Sequence, residues 1–418
     1  MRSLCCRGLV CLVTFFLIAL PLGVQAQGGV EVTTDTLVNL RAGPGTRHET
    51  LAKIPAGTPL LAFARDEKTG WVKVTFEDKQ GWLSVAYLSF KGNLFALPVG
   101  DAAPPPSSGG TAGNTGGENP VAPPPANGAN GQIESMTLYA QTDRVDYYRI
   151  VYFSDGLRIA GFLAEPRSPG KYPAVIYNRG GNRDTGALQG YEFAYFAEMG
   201  FVVAASQYRG GPGSEGADQL GGGDVNDVLN LIPVLTSRPY TDPDRIGMFG
   251  SSRGALMTYL ALKKLGEHGS GAIKVAATTS GLADLFMWAK QIPELNSGAY
   301  PDLVGGTTGS NPAAFKARSA TYWAGSIRVP LLLQHGDADT VVSVEQSKAL
   351  AKAMQRAGRT VKLIVQAYGD HGLFTHDEGY PETMKWFQAY LGRDGDNWDY
   401  WYWKDAIYNA MGKLRTNW

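Results

Sequence analysis

The chain has 418 residues, 44% of them apolar, which is enough for two or three domains with substantial cores. Its 38 basic residues balance 38 acidic ones, so no net field selects nucleic acid or an anionic membrane as a partner. Arg2 and Arg7, the apolar stretch Leu9 to Leu20 and the small-residue end Val24-Gln25-Ala26 give residues 1–26 the layout of a secretory signal, cut near Ala26. The apolar stretch is short for a spanning helix, so a membrane is expected as a partner only if this signal stays uncleaved. Cys5, Cys6 and Cys11, the three cysteines of the chain, all fall inside it. The mature chain then carries no thiol, disulfide or cysteine-based metal site, which suits a secreted, periplasmic or cell-envelope location.

Residues 28–92 read as short strands broken by turn residues. Val38-Asn-Leu-Arg41 runs into Ala-Gly-Pro-Gly45, Trp71 to Phe76 alternates large and polar residues, and Gly81 to Leu88 closes the segment. Strands at this spacing predict a small all-β barrel. The stretches VNLRAGPGT, IPAGTPL, GWVKV and GWLSVAYLS resemble, in order, the landmarks of a bacterial SH3 domain. That resemblance implies a binding module for cell-wall peptide or glycan. Residues 98–133 hold Pro104 to Pro106, Pro123 to Pro125 and many Gly and Ser, without periodic apolar residues, and read as a linker.

The pattern changes in 134–394. Asp155-Gly156 separates two strand-like runs, the signature of a hairpin. Beyond it, short apolar runs at 174–177, 201–204, 246–249, 275–277, 330–333 and 361–365 alternate with helical patterns near 190–199, 224–236, 252–265, 343–357 and 381–391. Such alternation predicts an α/β domain, a mostly parallel doubly wound sheet with helices on both faces. The stretch 282–326 reads as a small lid, and 395–418 as an aromatic tail capping the domain.

Gly250-Ser251-Ser252-Arg253-Gly254 lies between the strand at 246–249 and the helix after it. This is G-x-S-x-G in the strand–turn–helix setting where a serine becomes an exposed nucleophile. A serine hydroxyl needs a base to take its proton, and the base needs a carboxylate to orient it. His371 follows the last strand, in Tyr368-Gly-Asp-His-Gly372; Asp337 and Asp339 follow the strand before it. Reactive groups in open α/β sheets collect beyond the carboxyl ends of the strands. Serine, then acid, then histidine is also the chain order of α/β-hydrolases. His376, further from the strand, is the alternative base.

Over residues 140–392 the resemblance sharpens. HGDADTVV resembles the HGxxDxxV segment of the prolyl-oligopeptidase (S9) family, SQYRGGPGSEG its Tyr-Arg-Gly loop, and DPDRIGMFGSSRGALMTYLAL its nucleophile segment. The resemblance implies Ser252 as nucleophile, Asp339 as the orienting acid and His371 as general base, with Asp337 a turn residue and His335 structural. One oxyanion donor is expected from the Arg253 amide. The other is expected from the loop Asn178-Arg-Gly-Gly-Asn182, which aligns with the HGGP or YGGF stretch of the family. Arg179 then stands where the family has a histidine or an oxyanion tyrosine. Either a Gly180 or Gly181 amide completes the hole, or Arg179 contributes charge toward an anionic substrate; alternatively Arg179 and Arg183 pair with Asp184 or a neighbouring acid. Arg179, Tyr208 and Arg209 are the candidate substrate contacts.

Residues 27–133 cannot supply the β-propeller of large family members, and no pair of acids stands out to hold a peptide amino terminus. The reading is an exported serine hydrolase that forms an acyl-enzyme without metal or cofactor, acting on short peptides or on carboxylic esters. An esterase or lactonase on small molecules is the alternative. A catalytically silent cell-envelope binding protein is the alternative from another class.

Overall fold

The computed structural model describes residues 29–34, 38–44, 48–55, 57–66, 71–84, 88–91, 97–100, 128–372 and 379–416. The signal-like segment with its cysteines, residues 101–127 of the expected linker, and His376 lie outside the described residues.

Seven strands make up the first unit: β1 (Val30–Thr34), β2 (Val38–Arg41), β3 (Thr50–Ile54), β4 (Pro59–Arg65), β5 (Trp71–Phe76), β6 (Lys79–Ser84) and β7 (Leu88–Lys91), ordered β3-β2-β6-β5-β4-β1-β7. Antiparallel pairing of β5 with β6 closes on Glu77 and Asp78, both at positive φ (45° and 65°). Two successive positive φ values give the hairpin turn whose twist matches that of the strands. Inward positions alternate with outward ones, and Val32, Leu40, Ile54, Ala62, Val72, Val74 and Leu83 form the core. This is the SH3-like barrel the sequence predicts. The unit does not stop at residue 92. Arg65 N–H donates to Pro98 O and Gly100 N–H to Arg65 O, while Leu97 is buried.

The second unit is built on a nine-stranded sheet. It comprises β8 (Ile133–Gln141), β9 (Val145–Ser154), β10 (Leu157–Pro166), β11 (Tyr172–Asn178), β12 (Val202–Ser206), β13 (Thr241–Ser251), β14 (Val275–Thr279), β15 (Leu331–Gly336) and β16 (Val361–Gln366). Their order is β16-β15-β14-β13-β11-β12-β10-β9-β8. An antiparallel meander, β8 to β10, leads into β11 to β16, whose neighbours run parallel. The β9–β10 hairpin turns on Asp155 and Gly156, again both at positive φ. The unit begins before β8, because Gly131 N–H donates to Phe153 O. The expected linker is therefore shorter at both ends than 98–133.

Helices cover both faces: α1 (Ala194–Glu198), α2 (Asp224–Leu229), α3 (Leu231–Thr236), α4 (Arg253–Glu267), α5 (Leu285–Gln291), α6 (Ala299–Val304), α7 (Pro312–Arg318), α8 (Glu345–Arg356), α9 (Gly379–Leu391) and α10 (Tyr400–Thr416). Strand side chains alternate between two cores. Ala174, Ile176, Leu331 and Leu333 enter the core with α2, α3, α4 and α8; Val175, Tyr177 and Leu332 enter the one with α1, α9 and α10. A parallel sheet covered on both faces requires such uninterrupted apolar strands.

Three segments differ from the sequence expectation. Residues 224–236 form two helices rather than one, because Pro233 in the first turn of α3 has no N–H to continue the ladder from α2. The expected lid, 282–326, folds as α5, α6 and α7 with short 3-10 turns, and Tyr300, Phe315 and Ala320 sink into the first core. The expected tail is the helix α10, and Trp398, Tyr400, Ile407, Ala410 and Leu414 belong to the second core. The domain thus runs well past residue 394.

Candidate active site

β13 ends in the tight turn that carries Ser252. Its φ of 55° and ψ of −121° are strained for a residue with a side chain, and strain of about 1–3 kcal/mol persists only where the surroundings enforce it. They do so on two sides. A Cβ on Gly254 would sit 2.0 Å from Asn178 O, and one on Gly250 2.2 Å from Gly254 O, so only glycine lets α4 start this close to β11. The Ser252 amide is tied down as well, donating to Thr279 O of β14 at 2.9 Å.

Two neighbouring loops bring the acid and the base. Asp339 follows β15 and His371 follows β16, adjacent parallel strands. Backbone bonds stitch the loops together: Asp337 N–H donates to Gln366 O and Ala338 N–H to Gly369 O, and Asp337 Oδ1 accepts the Tyr368 amide. Asp337 is therefore a turn residue. His371 Nδ1 lies 2.8 Å from Asp339 Oδ2, and its Nε2 lies 3.0 Å from Ser252 Oγ. The structure thus brings Ser252, His371 and Asp339 into one hydrogen-bonded chain.

Asp339 is fully saturated with donors. Oδ1 accepts the amides of Val341 and Val342, both at 2.9 Å; Oδ2 faces His371 and, at 3.2 Å, Nε2 of the buried His335. Burial works against ionisation here. The bonds from His335, His371 and the Val342 amide outweigh it and hold the carboxyl well below the usual carboxylate range. His335 itself is buried between Ser347 Oγ and Val342 O, a structural residue. An ionised Asp339 only accepts, so His371 donates from Nδ1 and keeps Nε2 free to accept from the serine hydroxyl.

On the other side of Ser252 lies the loop 179–183. A Cβ on Gly180 would stand 3.3 Å from Ser252 Cβ, so this backbone runs against the serine. The Arg253 amide sits at the first position of α4, where no carbonyl one turn back can accept it. The Arg253 amide and the backbone of Gly180 thus border the serine.

The three candidate substrate contacts are placed otherwise. Arg179 is 2% exposed, and its guanidinium donates only to backbone carbonyls: Gln207 O, Gly180 O, Thr185 O and Arg183 O. Burial, aided by the nearby Arg253 charge, lowers its pKa to about 10. Tyr208 is buried, at φ 61°, with its hydroxyl donating to Arg179 O. Arg209 is spent on Asp227 and Asp155. All three are engaged with other groups of the protein, Arg209 through Nε and Nη2. Arg179 does not pair with Asp184, while Arg183 pairs with Asp302 of α6.

Sequence reasoning did not single out Asp218, Asp224 and Asn182. Arg253 Nη2 donates to Asp218 Oδ1 at 2.7 Å and to Asp224 Oδ2 at 2.6 Å, and Nη1 to Asn182 Oδ1 at 2.9 Å and Gly181 O at 3.0 Å. The signal was available in Arg253 itself. A charged side chain at the buried start of a helix demands counter-charges nearby.

Comparison with known proteins finds relatives for parts of both units. The prolyl oligopeptidase family model matches residues 187–394, and the bacterial SH3 domain model matches 35–89. The uncharacterized peptidase YtmA of Bacillus subtilis is 31% identical over 230 residues, covering 55% of this chain and 88% of YtmA. The putative N-acetylmuramoyl-L-alanine amidase YrvJ of the same organism is 33% identical over 69 residues, 16% of this chain and 13% of YrvJ. Among solved structures, Pyrococcus horikoshii acylaminoacyl peptidase superposes with a TM-score of 0.51 at 21% identity, over 64% of this chain. That likeness is one of fold, and the chain spans only 44% of the archaeal protein.

Proposed function

Because the chain belongs to the prolyl oligopeptidase family and is a serine hydrolase, we propose that it hydrolyses short peptides through an acyl-enzyme on Ser252, with His371 as general base and Asp339 as its orienting acid. The observation that carries this reading is the continuous chain from Ser252 Oγ through both ring nitrogens of His371 to Asp339. As Oγ attacks the scissile carbonyl carbon, its proton passes to His371 Nε2. The carbonyl electrons move onto oxygen, which the Arg253 amide and a Gly180 or Gly181 amide receive. His371 then gives the proton to the departing amine. Water repeats the sequence on the acyl-enzyme, its proton going to Nε2 and back to Ser252 Oγ. The positive charge that forms on His371 faces the ionised Asp339.

The same proposal places the enzyme outside the cytoplasm, exported by residues 1–26, with the SH3-like unit holding it to cell-wall peptide or glycan. The bacterial SH3 match and the likeness to a putative N-acetylmuramoyl-L-alanine amidase support the wall-binding role. Labelling by a fluorophosphonate probe tests the nucleophile: wild type takes the label and Ser252→Ala does not, whereas undiminished labelling of the variant refutes the assignment. A panel of aminoacyl anilides against acyl esters tests the bond. Cleavage of esters alone makes the chain an esterase.

A further inference from the structure

Arg253 enters the reaction twice over. Its amide is one oxyanion donor, and its side chain reaches from α4 across to the loop that bears the other. Nη1 holds Gly181 O and Asn182 Oδ1. Asp218, which takes the same guanidinium, also accepts the Arg183 amide at 3.0 Å. The loop is thereby fixed to the start of α4 at three successive residues.

Arg179 completes the arrangement from within the loop, holding Gly180 O, Arg183 O and Thr185 O. Both guanidinium carbons lie 5.1 Å from the centre of the Tyr208 ring. Three loop carbonyls are pinned by Arg179 and a fourth by Arg253, so the peptide planes between them cannot turn. A peptide plane that cannot turn keeps its N–H fixed too, and fixed donors are what an oxyanion hole requires.

A stabilising role alone does not explain this network. Buried ion pairs replaced by packed apolar residues of similar volume often leave stability unchanged or improved. Arg253 is 2% exposed, and its Nε is buried without a partner, so the fold tolerates an unmet donor to place the two Nη ends.

We propose that the Arg253 guanidinium is a positioning residue that sets the spacing between the two oxyanion donors. The inference rests on the hydrolase reading above. In the full chain, active sites are titrated with a fluorophosphonate, and kcat and KM for p-nitrophenyl acetate are measured per titrated site. Affinity for a trifluoromethyl ketone, which forms an oxyanion adduct with a nucleophilic serine, is the third readout. For Arg253→Lys the expected result is a fall in kcat of about 10–100-fold, the scale of a small misplacement. KM should change less than about threefold, because substrate binding is not the step affected. Ketone affinity should fall with kcat. Asn182→Ala keeps every charge and removes one acceptor, so it should shift the same readouts in the same direction by a smaller factor. An Arg253→Lys protein with fewer titratable sites but wild-type kcat per site overturns the proposal, as does a rise in KM alone. Should Arg253→Lys fail to fold, wild-type kcat and ketone affinity in Asn182→Ala overturn it. A wild type that takes no label at Ser252 refutes the hydrolase reading instead, and this inference with it.

Discussion

Replacing Asp339 by asparagine exchanges one oxygen for an NH2 group at nearly constant volume, and the structure dictates which oxygen is lost. Oδ1 accepts two backbone amides at 2.9 Å, from Val341 and Val342. Turning the NH2 toward them would set donors against donors and leave buried N–H groups unpaired, at about 1–3 kcal/mol each. The asparagine oxygen therefore stays on the amides and its NH2 faces His371. His371 Nδ1 must then accept, which moves the ring proton to Nε2, the atom that has to take the proton of Ser252. The same exchange in a serine protease of another fold lowers kcat by about 10⁴-fold through the wrong tautomer. A loss of about 10³–10⁴-fold in kcat for the best ester or anilide is expected here, with KM nearly unchanged. The assay is steady-state hydrolysis corrected by active-site titration. A loss of less than tenfold, in a protein folded by circular dichroism, would refute Asp339 as the orienting acid.

Gly254→Ala places a Cβ 2.0 Å from Asn178 O, a contact with backbone that cannot yield. It should cost more than about 4 kcal/mol and give insoluble or molten protein, read by expression and thermal melting. Arg209→Met leaves Asp227 as a buried unpaired carboxylate and should cost about 3–5 kcal/mol in denaturant unfolding, while the relative rates on different substrates stay unchanged. A change in substrate preference would return Arg209 to the binding site. Asp339 has a folded-state pKa below its unfolded one, so its contribution to stability is present above about pH 4 and is lost as pH falls further. Urea midpoints between pH 2 and 6 should show wild type losing more stability below pH 4 than Asp339→Asn does.

The frame of the second unit was legible because its strands are buried on both faces. Such strands must be apolar without interruption, and 174–177, 201–204, 246–249 and 330–333 are. The helices of 282–326 were hidden by their length. α5, α6 and α7 are 7, 6 and 7 residues long, too short to show a helical period. The last helix has its period in plain view, with Tyr400, Ile407, Ala410 and Leu414 on one side. The aromatics at 398–403 obscured it by looking like a patch. Trp401 and Tyr402 of that group are indeed exposed, yet Trp398 and Tyr400 are core.

The reacting groups were legible for a different reason. Acyl transfer restricts the residue types and the fold restricts their order, so Ser252, the Asp337/Asp339 pair and His371 could be read from types and order together, and the family resemblance selected Asp339 from the pair. Arg179 had no such constraint. Its partners are backbone carbonyls, which every residue carries, and no side chain in the sequence records which ones an arginine will find. Placed by type alone, it reads as a charge offered to substrate. Buried, with its pKa lowered to about 10 and its donors on four carbonyls, it is a clamp on the loop beside Ser252. Where the resemblance expects a histidine or an oxyanion tyrosine on this loop, the chain has an arginine turned inward. In the proposed reaction the second donor comes from the backbone, and a backbone donor is only as well placed as the loop that carries it. That dependence is what ties the chemistry at Ser252 to the two buried arginines behind it.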